Sequence, residues 1–320
     1  MKIPYNEIPS LDLASFVTGS PKQKNDFVGQ LGRAWTEIGF VAIKNHGLDE
    51  TTQQHLYKAV KQFFALPQEV KNKYENPELM GQRGYVGKMK EHAKGYNSPD
   101  LKEFFHIGQM HDPGDQDTDE YPRNIFPAEV PEFEDYGVRA FQLLEQAGIQ
   151  LLRAIALFLG IREDFFDEKV KNGNSILRPI HYFPIIESAN VPSDALRAAR
   201  HTDINLITLL MGASAEGLQV LRRDGEWIPI TALPEQIVVN VGDMLSRMTN
   251  EKLRSTVHRV VNPTREKLHL PRYSIPYFMH PKSQMSLACL PECIDKDHPK
   301  KFKDITAGEY LVRRLKEIGF

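Results

Sequence analysis

Cysteine is almost absent from this chain: two occur in 320 residues, Cys289 and Cys293. So sparse a supply excludes a disulfide framework. Their C-x3-C spacing could begin a zinc site, but no second Cys/His pair at suitable spacing completes one. Long apolar runs are missing as well. Residues 206–213 are among the most apolar and are far too short to span a bilayer, and residues 1–7 lack the apolar core of a signal peptide. Neither sign of charge prevails, since Lys+Arg 40 against Asp+Glu 42 leaves −2. That balance gives no electrostatic ground for binding nucleic acid or an anionic membrane. No repeat, low-complexity tract or linker-like run interrupts the sequence. These absences leave a cytoplasmic globular protein that acts on a small molecule, with its oligomeric state open. At 41% apolar and 26% charged residues, it has enough apolar material for a sizeable core.

Hydrophobic period divides the chain. Residues 8–13 read as a short strand. Phe27, Leu31, Ala34 and Trp35 recur at helical spacing in residues 22–38. Residues 39–47, bounded by glycine, form an apolar strand, and residues 50–64 predict a second helix. A short third helix begins at Pro67. Residues 134–159 carry Phe141, Leu144, Ala147, Leu151 and Ala154 on one face and end at Gly160, a good C-terminal cap. After about residue 174 the pattern changes to short β-type runs: 176–183, 206–211, 218–222, 237–241, 256–261 and 273–279. Asp224-Gly225 between two such runs signals a hairpin. Closely spaced short strands indicate a sandwich or barrel. The expected fold is α+β and one unit, residues 1–320. A mainly helical part (1–173) packs on a double-sheet β core (174–285), and a C-terminal loop and helix (286–320) follow.

Within that β core lies His201-Thr202-Asp203, and a lone His258 sits in the β-branched run Thr256-Val257-His258-Arg259-Val260-Val261. Residues two apart on an extended chain point to one side, so His201 and Asp203 can reach one ion while another strand delivers His258. Two imidazoles and a carboxylate are the set that holds a non-haem Fe(II) on one face and leaves the other open. Singly, an H-x-D triplet or a lone histidine is more often a surface or hydrogen-bonded feature. Arg272-Tyr273-Ser274 follows, with Arg272 and Ser274 on one strand face. A guanidinium fork and a neighbouring hydroxyl suit a carboxylate, although a structural ion pair beside a strand serine is the plainer reading of that pair alone. A zinc hydrolase could use the same three ligands, but no H-E-x-x-H or similar motif supplies its acid–base group. A non-catalytic ligand sensor is the remaining alternative from another class.

Taken together and in this order, several motifs resemble the isopenicillin N synthase-like branch of the iron/2-oxoglutarate-dependent dioxygenases. They are Gly39-Phe40-Val41 with Asn45-His46-Gly47, Arg83-Gly84-Tyr85, Asp100-Leu101-Lys102-Glu103, His201-Thr202-Asp203, Gly217-Leu218-Gln219-Val220, Val239-Asn240-Val241-Gly242-Asp243, His258-Arg259-Val260 and Arg272-Tyr273-Ser274. The resemblance implies a distorted double-stranded β-helix (jelly-roll) core. It also implies Fe(II) on His201, Asp203 and His258, and the C5 carboxylate of 2-oxoglutarate on Arg272 and Ser274. The activity implied is oxidative decarboxylation of 2-oxoglutarate to succinate and CO2, coupled through O2 to oxidation, foremost hydroxylation, of a small organic substrate. A 2-oxoglutarate-independent oxidase or cyclase of the isopenicillin N synthase type shares the Arg-x-Ser pair and stays open. One departure is visible: His181-Tyr182-Phe183-Pro184 stands where many relatives carry Asn-Tyr-Tyr-Pro. The hydroxyl contact of the second tyrosine is therefore lost, and His181 or Tyr182 is left to compensate. For the substrate, the basic stretch 88–96 offers Lys88, Lys90, His92, Lys94 and Tyr96 to an anionic group such as a carboxylate, with Phe104 and Phe105 nearby. Arg178, Tyr182 and Asn205 are further candidates.

Overall fold

The computed structural model describes residues 6–79, 81–91, 99–110, 122–185, 196–211, 217–230 and 233–317. Among them the strands, in chain order, are β1 (Ser10–Asp12), β2 (Phe40–Lys44), β3 (Gly84–Val86), β4 (Glu103–Gly108), β5 (Ile176–Leu177), β6 (Ile180–Tyr182), β7 (Ala198–His201), β8 (Ile207–Met211), β9 (Leu218–Leu221), β10 (Trp227–Pro229), β11 (Ile237–Val241), β12 (His258–Val260) and β13 (Arg272–Met279). They form two sheets. The larger runs β1-β2-β11-β8-β13-β5-β4-β3, with β6 bridging β13 and β4, and the smaller runs β10-β9-β12-β7. This is the expected double-stranded β-helix.

Alternation along the large sheet sorts its side chains between two cores. Ile207, Leu209, Val239, Val241, Ile275, Tyr277 and Met279 face the helices. There the helix Glu132–Leu159 lies across the sheet, with Phe141 edge-on to Tyr277 at 5.0 Å between centroids. The opposite residues, among them Phe40, Ala42 and Val238, meet Val220 and Val260 of the small sheet. The functional cavity lies in this second space.

Local chemistry explains the helix limits. Ser20 caps the helix Pro21–Glu37 in a reciprocal box with Gln23, and Pro21 takes the first turn, so the helix begins one residue before the expected start. Gly160 closes the long helix at φ 78°, the left-handed conformation that glycine adopts without a Cβ penalty. Two expectations need correction. Besides the two strands expected at 8–13 and 39–47, the mainly helical first part supplies β3 and β4 to the large sheet. The run 176–183 is two strands, because Pro179 has no N–H to give the ladder.

Candidate metal and substrate site

His201 ends β7 and His258 begins β12, and the two strands pair so that these residues stand directly opposite. Asp203 follows two residues after His201. Ligand atoms of the three side chains lie within 4.8 Å of one another, and Asp203 Oδ1 is 3.7 Å from His201 Nε2 and 3.6 Å from His258 Nε2. Each imidazole is oriented from behind. His201 Nδ1 donates to the Ala199 carbonyl at 2.8 Å, and His258 Nδ1 to the Thr256 carbonyl at 3.1 Å, which turns both Nε2 lone pairs inward. Asp203 Oδ2 accepts from Thr208 Oγ1 at 2.6 Å and Asn240 Nδ2 at 2.8 Å. Oδ1 is thereby left toward the imidazoles. Burial works against the Asp203 charge, yet His258, His201 and these two hydrogen bonds outweigh it and hold the carboxyl below its usual range. Burial and the neighbouring His258 push His201 down, so its ring is held neutral. Two imidazoles and one carboxylate, each fixed by an outer hydrogen bond, fit a divalent transition metal.

The three residues border a cavity of about 400 Å³, within the range of small-molecule sites. Arg272 and Ser274 border it too and are buried. They pair across the sheet with Tyr182 and Ile180, and the Arg272 guanidinium lies 4.8 Å from the centre of the Tyr182 ring. His181 points the other way. It stacks on Tyr273 at 4.9 Å and bonds Glu103 Oε1 at 2.8 Å through Nδ1. Of the two residues left to compensate for Phe183, only Tyr182 reaches the cavity.

Arg178 also borders the cavity. Asn205 does not. It is fully buried, and its Nδ2 donates to the Ile207 carbonyl at 2.8 Å and to Thr208 Oγ1 at 3.0 Å. Thr208 in turn holds Asp203, so Asn205 braces the ligand rather than meeting substrate. His92, Lys94 and Tyr96 lie outside the described residues. Lys88 sits 5.1 Å above the Phe183 ring, and Lys90 pairs with Glu75 at 2.9 Å. Phe104 faces Arg178 at 4.4 Å, whereas Phe105 points to the helical core against Phe63 and Phe133.

The sequence assigned no role to several contributors. Asn240 is a lone amide in the apolar strand Ile237–Val241, and a buried polar group in such a run calls for a partner. That signal could have found it. Asp243 binds Thr202 Oγ1 at 3.1 Å and Ser255 Oγ at 2.6 Å, and it also pairs with Arg314 of the helix Ala307–Glu317. Through Leu311, Arg314 and Leu315 this helix borders the cavity. No helix among the described residues is long and apolar enough to cross a membrane.

Known proteins resemble this chain. Residues 8–129 match the N-terminal domain described as non-haem dioxygenase in morphine synthesis, and residues 174–281 match the 2OG-Fe(II) oxygenase superfamily. Proline hydroxylase buaE of Petromyces alliaceus is 34% identical over 97% of this chain and 98% of its own length. A 2OG-Fe(II) oxygenase family protein of Caulobacter crescentus is 39% identical, with a TM-score of 0.85 over 97% of this chain and 98% of that one. A full-length Neurospora crassa protein, crystallised in complex with alpha-KG and thymine, is 31% identical, with a TM-score of 0.85 over 97% of this chain and 96% of that one.

Proposed function

Because this chain belongs to the 2-oxoglutarate–Fe(II) oxygenase superfamily, we propose that His201, Asp203 and His258 hold its Fe(II) and that Arg272 with Ser274 seats the C5 carboxylate of 2-oxoglutarate. The protein is an Fe(II)- and 2-oxoglutarate-dependent dioxygenase. With the metal bound, its site couples oxidative decarboxylation of 2-oxoglutarate to succinate and CO2 with oxidation of a small organic substrate by O2. The observation that carries the ligand assignment is the convergence of three donor atoms within 4.8 Å, with Asp203 Oδ2 tied back and Oδ1 presented.

The chain's own residues do the positioning. Thr208 and Asn240 fix the carboxylate rotamer, and the Ala199 and Thr256 carbonyls fix the ring tautomers. The buried Arg272 fork matches a carboxylate in two parallel hydrogen bonds, and the Tyr182 ring packs against the guanidinium. Apolar lining from Phe40, Leu210, Val238 and Phe278 excludes water from the reacting end of the substrate. Hydroxylation is the reaction proposed. Its support is likeness to a protein named proline hydroxylase. A cytoplasmic location belongs to the same proposal, supported by the two free, buried thiols of Cys289 and Cys293.

A carboxylate on the substrate, expected from the basic stretch 88–96, draws little from its described part, since Lys88 and Lys90 are not among the residues that border the cavity. Anaerobic addition of Fe(II) and 2-oxoglutarate tests the ligand assignment. The expected result is a weak visible charge-transfer band, then succinate release on admitting O2. His201→Ala and Asp203→Ala should lose both signals. Arg272→Ala should recover the band only at much higher 2-oxoglutarate. A band of wild-type strength in Asp203→Ala would overturn the assignment.

A further inference from the structure

Beyond the ligands and the Arg272–Ser274 pair, the cavity wall carries Glu91, Asp100, Lys102, Arg178 and His280. The four charged groups compensate one another. Lys102 Nζ lies 2.6 Å from Glu91 Oε1 and 2.8 Å from Asp100 Oδ2. Arg178 Nη1 lies 3.3 Å from Glu91 Oε2, and its Nε donates to His106 Nε2. The second Asp100 oxygen accepts from the Ala199 backbone at 3.0 Å. Burial opposes the Glu91 charge, but Lys102 and Arg178 hold its carboxyl down to about 2. Two cations face two anions, and the set has no net charge to offer. An ionic substrate would have to draw one partner out of a buried pair, which is strongly unfavourable. Of the further cations at this border, Arg200 is exposed to solvent and Arg314 is paired with Asp243.

His280 differs from that set. It continues the alternation Arg272, Ser274, Pro276, Phe278 on the cavity face of β13 and is 7% exposed. Its backbone N–H and carbonyl are both bonded to Ser175 Oγ, yet its Nδ1 is buried with no hydrogen-bond partner among the described residues. Burial, then Arg178, pushes the ring down to about 4, so it is a neutral imidazole with one nitrogen that donates and one that accepts. An unmet buried nitrogen is costly, and a small turn of the ring that opens Nδ1 to the cavity would let a ligand relieve that cost.

We propose that the inner cavity takes an uncharged substrate with an amide- or lactam-type edge, and that His280 recognises this edge by a hydrogen bond. The proposal rests on the ligand assignment above, since the substrate must lie beside that metal. It narrows the substrate class and makes His280 a specificity residue.

Calorimetry on the anaerobic Fe(II)–2-oxoglutarate holoenzyme tests it with matched neutral and anionic probes: uracil against orotate, nicotinamide against nicotinate, and N-acetylprolinamide against N-acetylproline. The neutral member of at least one pair should bind about tenfold or more tightly than its carboxylate, the size of one good hydrogen bond. His280→Leu should erase most of that affinity, and His280→Gln, which keeps a donor and an acceptor, should restore part of it. Three results would overturn the proposal: carboxylate members binding as tightly as neutral ones, no neutral member saturating the holoenzyme at millimolar concentration, or His280→Leu binding like the wild type. The preference within a pair is read on the wild type, so it stands even where a variant fails to fold. A holoenzyme that shows the charge-transfer band yet prefers carboxylates sinks only this proposal. Absence of the band sinks the ligand assignment instead.

Discussion

Asp203 shows how much of a metal site is built outside its ligands. A carboxylate in a strand-end turn has several rotamers, and the Thr208 and Asn240 hydrogen bonds select the one that presents Oδ1. Removing either donor leaves the ligand in place but lets it turn, and outer partners of this kind are worth about tenfold to a hundredfold in metal affinity. Thr208→Val, nearly isosteric, should therefore weaken Mn(II) or Fe(II) binding by about tenfold with little change in fold. Asn240→Leu should do the same or more. A calorimetric titration giving wild-type affinity in both variants would show that Asp203 is fixed by the backbone alone. Arg272 makes a different demand. Arg272→Lys keeps the charge and loses the planar fork, so the 2-oxoglutarate KM should rise while kcat at saturation changes far less. A fall in kcat without a change in KM would place Arg272 outside the co-substrate contact.

Elements carry the site through three junctions, one legible in the sequence and two not. Alternation along β13 put Arg272 and Ser274 on one face before any coordinates, because a strand has a period of two. The same rule, extended past Phe278, reaches His280. The long amphipathic helix and its Gly160 stop were equally plain. Nothing local, by contrast, foretold that Glu91 is a buried partner of Lys102 and Arg178. In sequence it interrupts a basic stretch and reads as solvated, since its second partner lies on a strand connection far along the chain. Asn205 misled for a related reason: two residues past a ligand, its side chain turns back to Thr208 instead of into the cavity. Asp243 is the other illegible junction. It gathers Thr202, Ser255, Arg314 and, at 3.4 Å, the Tyr310 hydroxyl, while its backbone N–H donates to the Asp203 carbonyl at 2.7 Å. The helix Ala307–Glu317 is thus pinned to the segment 201–203, which carries two ligands. Arg314→Ala should release it. The expected result is a rise in substrate KM and faster proteolysis near the C-terminus, with the Fe(II)–2-oxoglutarate band retained. Loss of the band with an intact helix would instead make Arg314 part of the metal loop's own support.

At the scale of the whole molecule, two buried ionic clusters fasten the first part of the chain to the β core. One joins Glu91 and Lys102 to Arg178. The other centres on the fully buried Glu103, which accepts from Lys71 Nζ at 2.8 Å, from the Tyr85 hydroxyl and from His181 Nδ1 at 2.8 Å. Burial alone would raise the Glu103 carboxyl, but His181, Lys71 and Tyr85 together hold it at about 2 against an ordinary 4.5. Glu91 is held as low by Lys102 and Arg178. A carboxyl depressed in the folded state binds its proton more readily when unfolded, so unfolding takes up protons as the pH falls. The stabilisation is fully present above pH 4.5 and is lost as the pH drops through about 2. Urea midpoints should therefore fall steeply across that window. Glu103→Gln removes one of the two titrating groups and leaves Lys71 buried without its anion. That loss should cost about 3–5 kcal/mol at neutral pH. The variant's curve should then be lower but shallower, approaching the wild type toward pH 2. Two parallel curves from neutral pH down to about 2 would mean that Glu103 gains nothing from its partners in the fold beyond what it has in the unfolded chain.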